Sequence, residues 1–579
     1  MAQAMSVEPE SGVLQRRTIA RLWLEAVAAN RSAPAYLVER DGAWEEVSWN
    51  EAARAVDELA HGLLSLGVRK GDAFAILAQT TLEWTLFDFA LGLVGAIGAP
   101  VYANSSDKDA QYVVAHSEAV GALCQDEEQR RKIEPLGLAH VLTFADFADL
   151  RERGRAHAVE HPNAVAEATA EIEEDDLFTY IYTSGTTGPP KACMIRHRNY
   201  YEMVAVVDRL DQFTLEGDLL LLYLPLAHNF GRLMHLAGPY VGYTVAFLPD
   251  PLRTADALLE VRPTVLPSVP RVYEKVHGAV LAKFDEETGP KRRIVDWALR
   301  VGYRVSALRQ RGQAIPRALE LQRRLADKLV HSKVTQRLGG RLRLAISGGA
   351  PLSRDIAEFF DALGITILEG YGLTECTSAA TVNQLRSYHL GTVGQALPGT
   401  ELRLAEDGEL LIRSPTVFAG YYKDEAATRE VVDEEGWLSS GDIAEIDDDG
   451  FVTITDRKKD ILVTAGGKNV APANIENDLK AHREISQAIV IGDRRPFVAA
   501  LVTLDPDTTA ALSDERKRER VQEIVDEVNR ERSRFEQIKR FVILERDFSM
   551  DEDEITPTLK LKRQVVLEHF APEIDSLYA

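Results

Sequence analysis

Hydrophobic positions near the amino terminus follow first a helical and then a strand-like spacing. Apolar residues from Ala53 to Leu66 recur at helical spacing behind Ser48-Trp-Asn-Glu51, a sequence typical of a capping box. The continuous apolar run Ala73–Ala78 predicts a short buried strand. A second helix is predicted over about 82–94 and a second strand over about 98–102. Such alternation favours βαβ units, that is, a mostly parallel sheet with helices on its faces.

The pattern changes twice further along the chain. Residues from about Val276 to Leu338 predict a long, charge-rich helical stretch with few strands. Segments 409–413 and 451–455 predict a β-rich part that ends near the charged run Asp456–Asp460. The remaining ~120 residues have helices and strands of their own and could form a separate small domain. Taken alone, such a charged run is more often a solvated turn than a hinge.

Composition indicates a soluble globular protein of several domain-sized units. The chain has 579 residues, of which 45% are hydrophobic and 27% charged, and its net charge is −23. This acidity argues against nucleic acid as a partner, so an anionic substrate would need a locally basic or amide-lined pocket. Three cysteines without paired spacing argue against a disulfide or zinc framework.

No segment predicts export or membrane insertion. The amino-terminal residues 1–17 lack the apolar core of a signal peptide. The longest apolar run, Phe89–Ala103, is shorter than the ~20 residues that span a bilayer. We therefore expect a cytoplasmic protein, an expectation that allows peripheral contact with a membrane. The oligomeric state is left open.

A short polar loop follows the predicted strand Leu177–Tyr182. It runs Thr183-Ser184-Gly185-Thr186-Thr187-Gly188-Pro-Pro-Lys191. Glycines let backbone amides approach an anion, and hydroxyls and an ammonium add donors, so the loop suits a polyphosphate. It differs from the common nucleotide P-loop, in which Gly-Lys-Ser/Thr opens a helix. A polar surface turn would be the alternative for such a segment taken alone.

A second polar cluster, Glu369–Glu375, follows the predicted strand 365–368. Ligands of parallel α/β sheets bind outside the carboxyl ends of the strands, where this turn would lie. Tyr371 could stack on a base, Thr374 could bond a phosphate, and Glu375 could hold Mg²⁺. Three further segments could contribute to the same site: Ser347–Pro351, Gly436–Asp442 and Thr556–Arg563. Each could also be an ordinary connecting turn or tail.

These motifs, together with 456–460 and Ala465–Pro472, occur in the order and rough spacing of the adenylate-forming, AMP-binding superfamily. More narrowly, the chain resembles bacterial long-chain fatty-acyl-CoA synthetases in Leu224–His228, in Arg262–Arg271 and in the helical insertion that follows. The resemblance covers nearly the whole chain beyond the first ~15 residues.

The resemblance implies an α/β fold with a large amino-terminal domain and a small mobile carboxyl-terminal α+β domain. The large domain would comprise parallel-sheet αβ subdomains and a β-rich part at about 393–456. The implied division is a tail at 1–16, an AMP-binding domain at 17–456 with an insertion at about 276–340, a hinge at 457–460, and a lid at 461–579.

The implied reaction has two steps: ATP converts a medium- to long-chain fatty acid into acyl-AMP, and coenzyme A then displaces AMP. The nucleotide-binding residues would be Thr183, Ser184, Gly185, Thr186, Thr187, Gly188, Lys191, Gly349, Ala350, Pro351, Glu369, Gly370, Tyr371, Gly372, Thr374, Asp442, Arg457 and Lys560. Glu375 would place Mg²⁺ with Thr183 as a second ligand.

Five residues receive roles in catalysis or domain movement from the same resemblance. Lys560 would bridge the carboxylate and the α-phosphate, and His228 would orient the acyl-side loop. Lys459 would be the hinge. Gly467 would line the channel for pantetheine, and Lys468 would contact coenzyme A.

Two departures and two alternative functions belong to this interpretation. Ala192 replaces a common glycine, and Arg232 lies where some fatty-acid-specific relatives carry an aromatic gate. An acyl-AMP ligase that loads a carrier protein, and a non-catalytic nucleotide sensor or scaffold, both remain as alternatives. Intact Lys560 and Glu375 argue against the sensor.

Overall fold

The structure is a computed structural model that describes residues 15–183, 189–210, 214–530, 532–556 and 561–579. In chain order its strands are β1 (Tyr36–Arg40), β2 (Ala43–Val47), β3 (Ala73–Leu77), β4 (Ile97–Val101), β5 (Gly121–Cys124), β6 (His140–Thr143), β7 (Leu177–Thr183), β8 (Lys191–Arg196), β9 (Leu219–Leu222), β10 (Thr244–Phe247), β11 (Val265–Ser268), β12 (Leu344–Ser347), β13 (Ile367–Tyr371), β14 (Thr381–Val382), β15 (Gln395–Ala396), β16 (Glu401–Leu404), β17 (Glu409–Arg413), β18 (Leu438–Ile446), β19 (Val452–Arg457), β20 (Leu462–Val463), β21 (Asn469–Val470), β22 (Ile485–Ile491), β23 (Val498–Leu504) and β24 (Ile538–Ile543).

The α-helices are α1 (Ile19–Ala28), α2 (Trp49–Ser65), α3 (Leu82–Val94), α4 (Asp107–His116), α5 (Glu127–Ile133), α6 (Phe147–Glu160), α7 (Ala164–Ala170), α8 (His197–Ala205), α9 (Asn229–Val241), α10 (Thr254–Val261), α11 (Pro270–Glu286), α12 (Gly289–Gln310), α13 (Arg317–Ala326), α14 (Ser332–Arg337), α15 (Arg354–Ala362), α16 (Glu425–Val431), α17 (Pro472–Lys480), α18 (Pro506–Thr509), α19 (Asp514–Asn529), α20 (Arg563–His569) and α21 (Ala571–Tyr578).

Two large sheets form the amino-terminal part. One has the order β6-β5-β3-β4-β7-β8 and is parallel except for β8, which pairs antiparallel with β7. The other has the order β15-β14-β13-β12-β11-β9-β10-β1-β2, with a parallel centre and antiparallel strands at both ends. A single apolar core joins them and includes Phe74 and Phe178 from the first sheet and Leu220 and Val245 from the second. The predicted α/β class is confirmed.

The structure confirms the helix and strand predictions made for the start of the chain. Ser48 accepts a hydrogen bond from the backbone of Glu51, whose carboxylate accepts from the backbone of Ser48, so the capping box that opens α2 is confirmed. The buried strand after it is β3, and the next helix, α3, is buried along nearly its whole length.

One strand boundary was wrong. The sequence predicts a strand that ends at Leu368, whereas β13 continues to Tyr371. Gly370 and Tyr371 pair antiparallel with Val382 and Thr381 of β14. That partner lies ten residues further along the chain, so the extension depends on a pairing that no local pattern records.

The helical stretch expected from about 276 to 338 consists of α11 to α14, with a π-helical turn at Asp327–His331. Within it, α12, α13 and the π turn enclose a small apolar core of their own, which includes Val295, Val301, Leu319 and Val330. The β-rich part is the antiparallel sheet β16-β17-β18-β19.

The carboxyl-terminal part is built on the three-stranded sheet β22-β23-β24, with separate apolar clusters on its two faces. It contacts the amino-terminal part through Arg271, whose guanidinium donates to the backbone and hydroxyl oxygens of Ser486 at 3.0 and 3.1 Å. A second contact is the ion pair of Arg483 with Asp285 at 3.3 Å. Across the described residues, the helices are all too short or too polar to cross a bilayer.

Candidate active site

The candidate phosphate loop joins two paired strands. Thr183, the last residue of β7, is opposite Lys191, the first residue of β8, and its hydroxyl donates to the Lys191 carbonyl at 3.4 Å. Residues Ser184 to Gly188 between them lie outside the described part of the chain. The β7–β8 pairing thus brings Thr183 and Lys191, two of the predicted polyphosphate ligands, opposite each other.

The Lys191 ammonium faces a residue that the sequence interpretation did not include. Its Nζ lies 5.0 Å from the ring centroid of Tyr421 and 4.0 Å from Oδ2 of Asp424. The lysine side chain is 45% exposed, so these contacts hold it in place without burying its charge. An aromatic face and a carboxylate both favour a cation.

Tyr421 also holds the predicted metal-binding carboxylate. Its hydroxyl donates to Oε1 of Glu375 at 2.6 Å. Burial, followed by the nearby Glu375 charge, raises the pKa of Tyr421 above its ordinary value, so the hydroxyl keeps its proton and remains a donor. One side chain therefore contacts both Lys191 and Glu375.

The backbone around Tyr421 connects the same two motifs. On one side, Ala419 donates to the carbonyl of Met194 in β8 at 2.8 Å, and Met194 donates to Gly420 at 2.9 Å. On the other side, Phe418 donates to the carbonyl of Glu375 at 2.9 Å. Segment 418–422 thereby joins the phosphate hairpin to the Glu369–Glu375 motif.

The predicted adenine-side residues lie at the carboxyl ends of β12 and β13. Leu352, just beyond the loop Gly349–Pro351, donates its backbone N–H to Oε2 of Glu369 at 3.2 Å. Burial raises the pKa of Glu369 to about 8, which favours the protonated carboxyl near pH 7. A Cβ at Gly372 would lie 2.0 Å from the Ser378 carbonyl, which explains the glycine there.

A carboxylate and a guanidinium lie beside Tyr371 at the expected ribose position. The Tyr371 hydroxyl donates to Oδ2 of Asp442 at 2.5 Å. Asp442 and Arg457 are opposite each other in β18 and β19, with Nε and Oδ1 3.4 Å apart. Burial and the Asp442 charge raise the pKa of Tyr371 well above its ordinary value. The structure thus brings these three predicted residues together.

His228 caps the amino terminus of α9. Its Nδ1 accepts from the backbone N–H of Phe230 at 3.2 Å. The next residue, Asn229, donates to the Thr374 carbonyl at 3.3 Å and accepts from the hydroxyl of Tyr200. The helix that carries His228 is therefore attached directly to the Glu369–Glu375 motif.

Arg232 does not occupy an open gate position. It is fully buried, forms an ion pair with the equally buried Asp88, and donates to the Thr179 hydroxyl at 2.6 Å. Its guanidinium lies 4.7 Å from the ring of Phe178 and 5.2 Å from that of Trp84. This arginine belongs to the core between the two sheets.

Lys459 follows directly after a residue that is anchored by hydrogen bonds and ion pairs. Lys458 donates its backbone N–H to Gly441 at 2.9 Å, and its Nζ lies 2.6 Å from Asp407 and 2.8 Å from Glu409. Lys459 itself is exposed in the turn that follows β19. An anchored residue followed by an exposed turn is a suitable place for a backbone pivot.

The loop expected to meet coenzyme A connects β20 and β21. Gly467 has φ +70°, a conformation that favours glycine, and Lys468 is exposed with its Nζ 5.9 Å from the ring of Phe535. Lys560 lies outside the described residues. Met550, ten residues before it, contacts Asn104, which follows β4, the parallel neighbour of β7.

The donor set suits Mg²⁺ bound together with a polyphosphate. Glu375 offers carboxylate oxygens, and Thr183 offers a hydroxyl. Within the described ranges, no group of three His, Cys, Asp or Glu side chains could hold a metal alone. Mg²⁺ typically takes one or two protein oxygens and completes its shell with phosphate and water, so these residues fit it.

Sequence reasoning missed Tyr421 and Asn229. Asn229 follows His228 directly, and Tyr421 lies in the Gly420-Tyr-Tyr422 segment between β17 and β18. A neutral phenol and an amide give no charge or spacing signal, and only the tertiary contacts reveal that both support the motif at 369–375.

The fold and this arrangement are those of an adenylate-forming enzyme. The chain belongs to the AMP-binding enzyme family, which matches residues 24–422, and the AMP-binding enzyme C-terminal domain matches residues 459–579. Family membership agrees with the resemblance inferred from the motifs.

Among curated relatives, the chain is 38% identical over 575 residues to the long-chain-fatty-acid–CoA ligase FadD15 of Mycobacterium bovis, with 95% of each chain covered. It is 30% identical to the long-chain-fatty-acid–CoA ligase ACSBG2 of Homo sapiens, covering 97% of this chain and 92% of that one. The crystal structure of the anthranilate CoA ligase AuaEII with anthranoyl-AMP superposes with a TM-score of 0.74 at 18% identity, covering 96% and 97% of the two chains.

Proposed function

We propose that the chain activates a medium- to long-chain fatty acid with ATP and transfers the acyl group to coenzyme A. In the first step a carboxylate oxygen attacks the α-phosphorus, the bond to the β-phosphate oxygen breaks, and pyrophosphate leaves. In the second step the thiolate sulfur attacks the acyl carbon of acyl-AMP, the bond to the phosphate oxygen breaks, and AMP leaves.

The hairpin loop would hold the phosphates that depart. Thr183, the segment 184–188 and Lys191 provide hydroxyls, amides and an ammonium for negative charge that accumulates on the leaving pyrophosphate. Bound Mg²⁺ would supply further positive charge to the phosphate oxygens. Glu375 and Thr183 would hold the ion, and Tyr421 would orient Glu375.

The nucleoside would lie along the ends of β12 and β13. Gly349–Pro351 and Glu369–Gly372 would border the adenine, with the Tyr371 ring against the base and Thr374 near the phosphate. Asp442 and Arg457 would hold the ribose hydroxyls. A neutral Glu369 supports this role, because it adds no negative charge beside an anionic nucleotide.

The two steps require different groups at one site. Lys560 would bridge the carboxylate and α-phosphate in the first step. A rotation about Lys459 would then remove it and bring the Gly467 loop and Lys468 toward the pantetheine of coenzyme A. We propose the corresponding domain limits as 17–456, a hinge at 457–460 and a lid at 461–579, after a tail at 1–16. His228 would orient the acyl-side loop.

The observation that supports this proposal most directly is the connection made by segment 418–422. It contacts β8 through Met194 and the second motif through Glu375, and Tyr421 within it lies against Lys191, so Lys191 and Glu375 both contact one side chain. We propose that the acids are long-chain fatty acids, because the curated relatives are long-chain-fatty-acid–CoA ligases. We also propose that the protein is cytoplasmic and makes peripheral contact with a membrane.

A carboxylate panel assayed for AMP release, with and without coenzyme A, tests the proposal. We expect fatty acids to drive ATP–pyrophosphate exchange without coenzyme A, and steady AMP release only with it. Acceptance of a carrier protein in place of coenzyme A would instead indicate a carrier-loading enzyme. Failure of every acid to drive exchange would reject the proposal.

A further inference from the structure

The helical insertion is strongly basic although the chain is acidic. Residues 289–337, which contain α12, α13, the π turn and α14, include thirteen Lys or Arg and three Asp or Glu. Their net charge is +10, whereas the whole chain has −23. Positive charge is therefore concentrated in 49 residues that form one structural unit.

Three leucines on this unit face solvent. Leu321, Leu325 and Leu329 are 68%, 50% and 37% exposed, and they recur every four residues along α13 and the π turn. Residues at this spacing lie on one side of a helix. Isolated exposed leucines are ordinary on protein surfaces, but three in a row form an apolar stripe.

Long cationic side chains accompany the stripe. Arg317 precedes Leu321 by four residues, Arg324 follows it by three, and Lys328 follows Leu325 by three, so all three cations lie on the same side as the leucines. All are exposed. Arg324 is 3.2 Å from Glu320, while Arg317 and Lys328 have no carboxylate within 4 Å among the described residues. We call Arg317, Leu321, Arg324, Leu325, Lys328 and Leu329 the basic–leucine face.

The insertion does not need this face for its own folding. The opposite side of α13 supplies Leu319 and Ala326 to the small core, where they meet Val301 and Val305 of α12. Polar residues on the solvent-facing side would be sufficient for a stable helix pair. The exposed leucines thus point to a contact outside the chain.

We propose that the basic–leucine face docks on the surface of a lipid bilayer that contains anionic lipids. Leucines inserted at the level of the acyl boundary bury apolar area, and the arginine and lysine side chains reach the phosphate headgroups. The inference rests on the proposed function, because a fatty-acid substrate partitions into such a bilayer.

The insertion is connected to the catalytic sheet. Helix α11 begins directly after β11, which lies beside β12, the strand that leads into Gly349–Pro351. Helix α12 then packs against α15, which follows that same loop. Docking through α13 would therefore hold the lipid surface near elements that border the active site.

Nucleic acid fits this face less well than a bilayer, because its phosphate backbone offers no apolar surface to cover the three leucines.

Co-sedimentation of the purified full-length protein with vesicles tests the proposal. Vesicles of pure phosphatidylcholine are compared with equimolar phosphatidylcholine and phosphatidylglycerol, at about 0.1 M and about 0.5 M salt. We expect strong binding only to the anionic vesicles at low salt. The double variant Arg324→Glu/Lys328→Glu should bind them more than about tenfold more weakly, and so should Leu321→Ser/Leu325→Ser.

A matched variant separates this surface from general charge effects. Lys108→Glu/Arg130→Glu makes the same charge change on exposed residues of α4 and α5. It should bind as the unchanged protein does. Equal losses in both charge variants, binding to neutral vesicles alone, or no vesicle binding would overturn the proposal. Loss of a dimer in the leucine variant without vesicle binding by the original chain would assign the face to a second copy.

Ligase activity on octanoate, without vesicles, keeps the two proposals apart. The variants should retain it, because their substitutions lie outside the active site. A protein that binds anionic vesicles but activates no acid would refute the proposed function and leave the docking surface intact. Full activity with no vesicle binding would refute the docking surface and leave the proposed function intact.

Discussion

The Tyr421 hydroxyl lies 2.6 Å from Oε1 of Glu375, and the ring of the same tyrosine lies 5.0 Å from Nζ of Lys191. The tyrosine therefore fixes the distance between the carboxylate proposed for Mg²⁺ and the ammonium proposed for the leaving phosphates. Neither charged group is held by a direct salt bridge to the other, which leaves each available to its ligand. Tyr421 acts through both groups as a positioning residue.

Replacing Tyr421 by Phe removes the hydroxyl and keeps the ring. We expect the Mg²⁺ concentration needed for half-maximal ATP–pyrophosphate exchange to rise about tenfold, because a hydrogen bond to a charged group contributes ~1.5 kcal/mol. MgATP binding measured by calorimetry should weaken to a similar degree, whereas binding of metal-free ATP should change little.

Tyr422→Phe is the matched control. Its hydroxyl donates to Glu118 at 3.0 Å, away from Glu375, so the Mg²⁺ dependence should stay as in the unchanged protein. If both variants shifted the Mg²⁺ requirement equally, Tyr421 would have only a general structural role.

Lys560→Ala should separate the two half-reactions. Without the ammonium that bridges carboxylate and α-phosphate, exchange of pyrophosphate should fall below detection. Thioester formation from supplied acyl-AMP and coenzyme A should continue nearly unchanged. Lys562→Ala serves as the neighbouring control. A parallel decline of both half-reactions would show that Lys560 has another role.

Lys459→Pro should give the opposite bias. Proline fixes φ and removes a backbone donor, so it restricts the proposed pivot. Acyl-AMP should still form, while its conversion to acyl-CoA slows by more than about tenfold. Single-turnover assays of each step measure this. Unimpaired thioester formation would place the pivot at another residue.

The buried Glu369 predicts a specific pH dependence of stability. Its pKa rises from 4.5 in the unfolded reference to about 8 in the folded chain. Folding therefore takes up a proton between these values, and the contribution of Glu369 to stability decreases as pH rises through that window. In Glu369→Gln this decrease is absent.

Thermal unfolding of both proteins from pH 5 to pH 8.5 checks this expectation. The glutamine variant should gain stability relative to the unchanged protein as pH rises, by an upper bound of about 5 kcal/mol from the shift. A constant difference across the range would mean that Glu369 is ionised in the folded chain.

The Asp88–Arg232 pair predicts a strong non-additive effect. Arg232→Met leaves the buried Asp88 carboxylate with His235, 3.5 Å away, but without the guanidinium, and should cost about 3–5 kcal/mol. The double variant Arg232→Met/Asp88→Leu should recover much of that loss. The acyl chain-length profile of the recovered variant should be unchanged, because Arg232 lies in the core. A profile shifted toward longer or shorter acids would restore a gating role to position 232.

Much of the fold follows from local sequence signals. The capping box at Ser48–Glu51 and the buried strand after it depend on neighbouring residues, and the structure has them as predicted. The end of β13 at Tyr371 depends instead on pairing with β14, and the sequence alone could not locate it.

The candidate site shows the same division. Charged residues and glycine-rich turns identified the loops around Lys191, Glu375 and Asp442 from their order along the chain. The contacts of Tyr421 and Asn229 arise where distant segments meet, so no spacing signals them. Burial of Arg232 was hidden for the same reason, since its partner Asp88 lies 144 residues away.

The anchoring of Lys458 bears on how acyl-AMP is retained between the two half-reactions. Its bonds to Gly441, Asp407 and Glu409 tie the residue before the proposed pivot to the sheet that carries Asp442 and Arg457. A rotation that begins at Lys459 would therefore leave Asp442 and Arg457 in place. With Asp442 and Arg457 on the ribose hydroxyls, as proposed, acyl-AMP would stay bound by its sugar while the lid turns. The labile mixed anhydride would then remain in the site between the two steps.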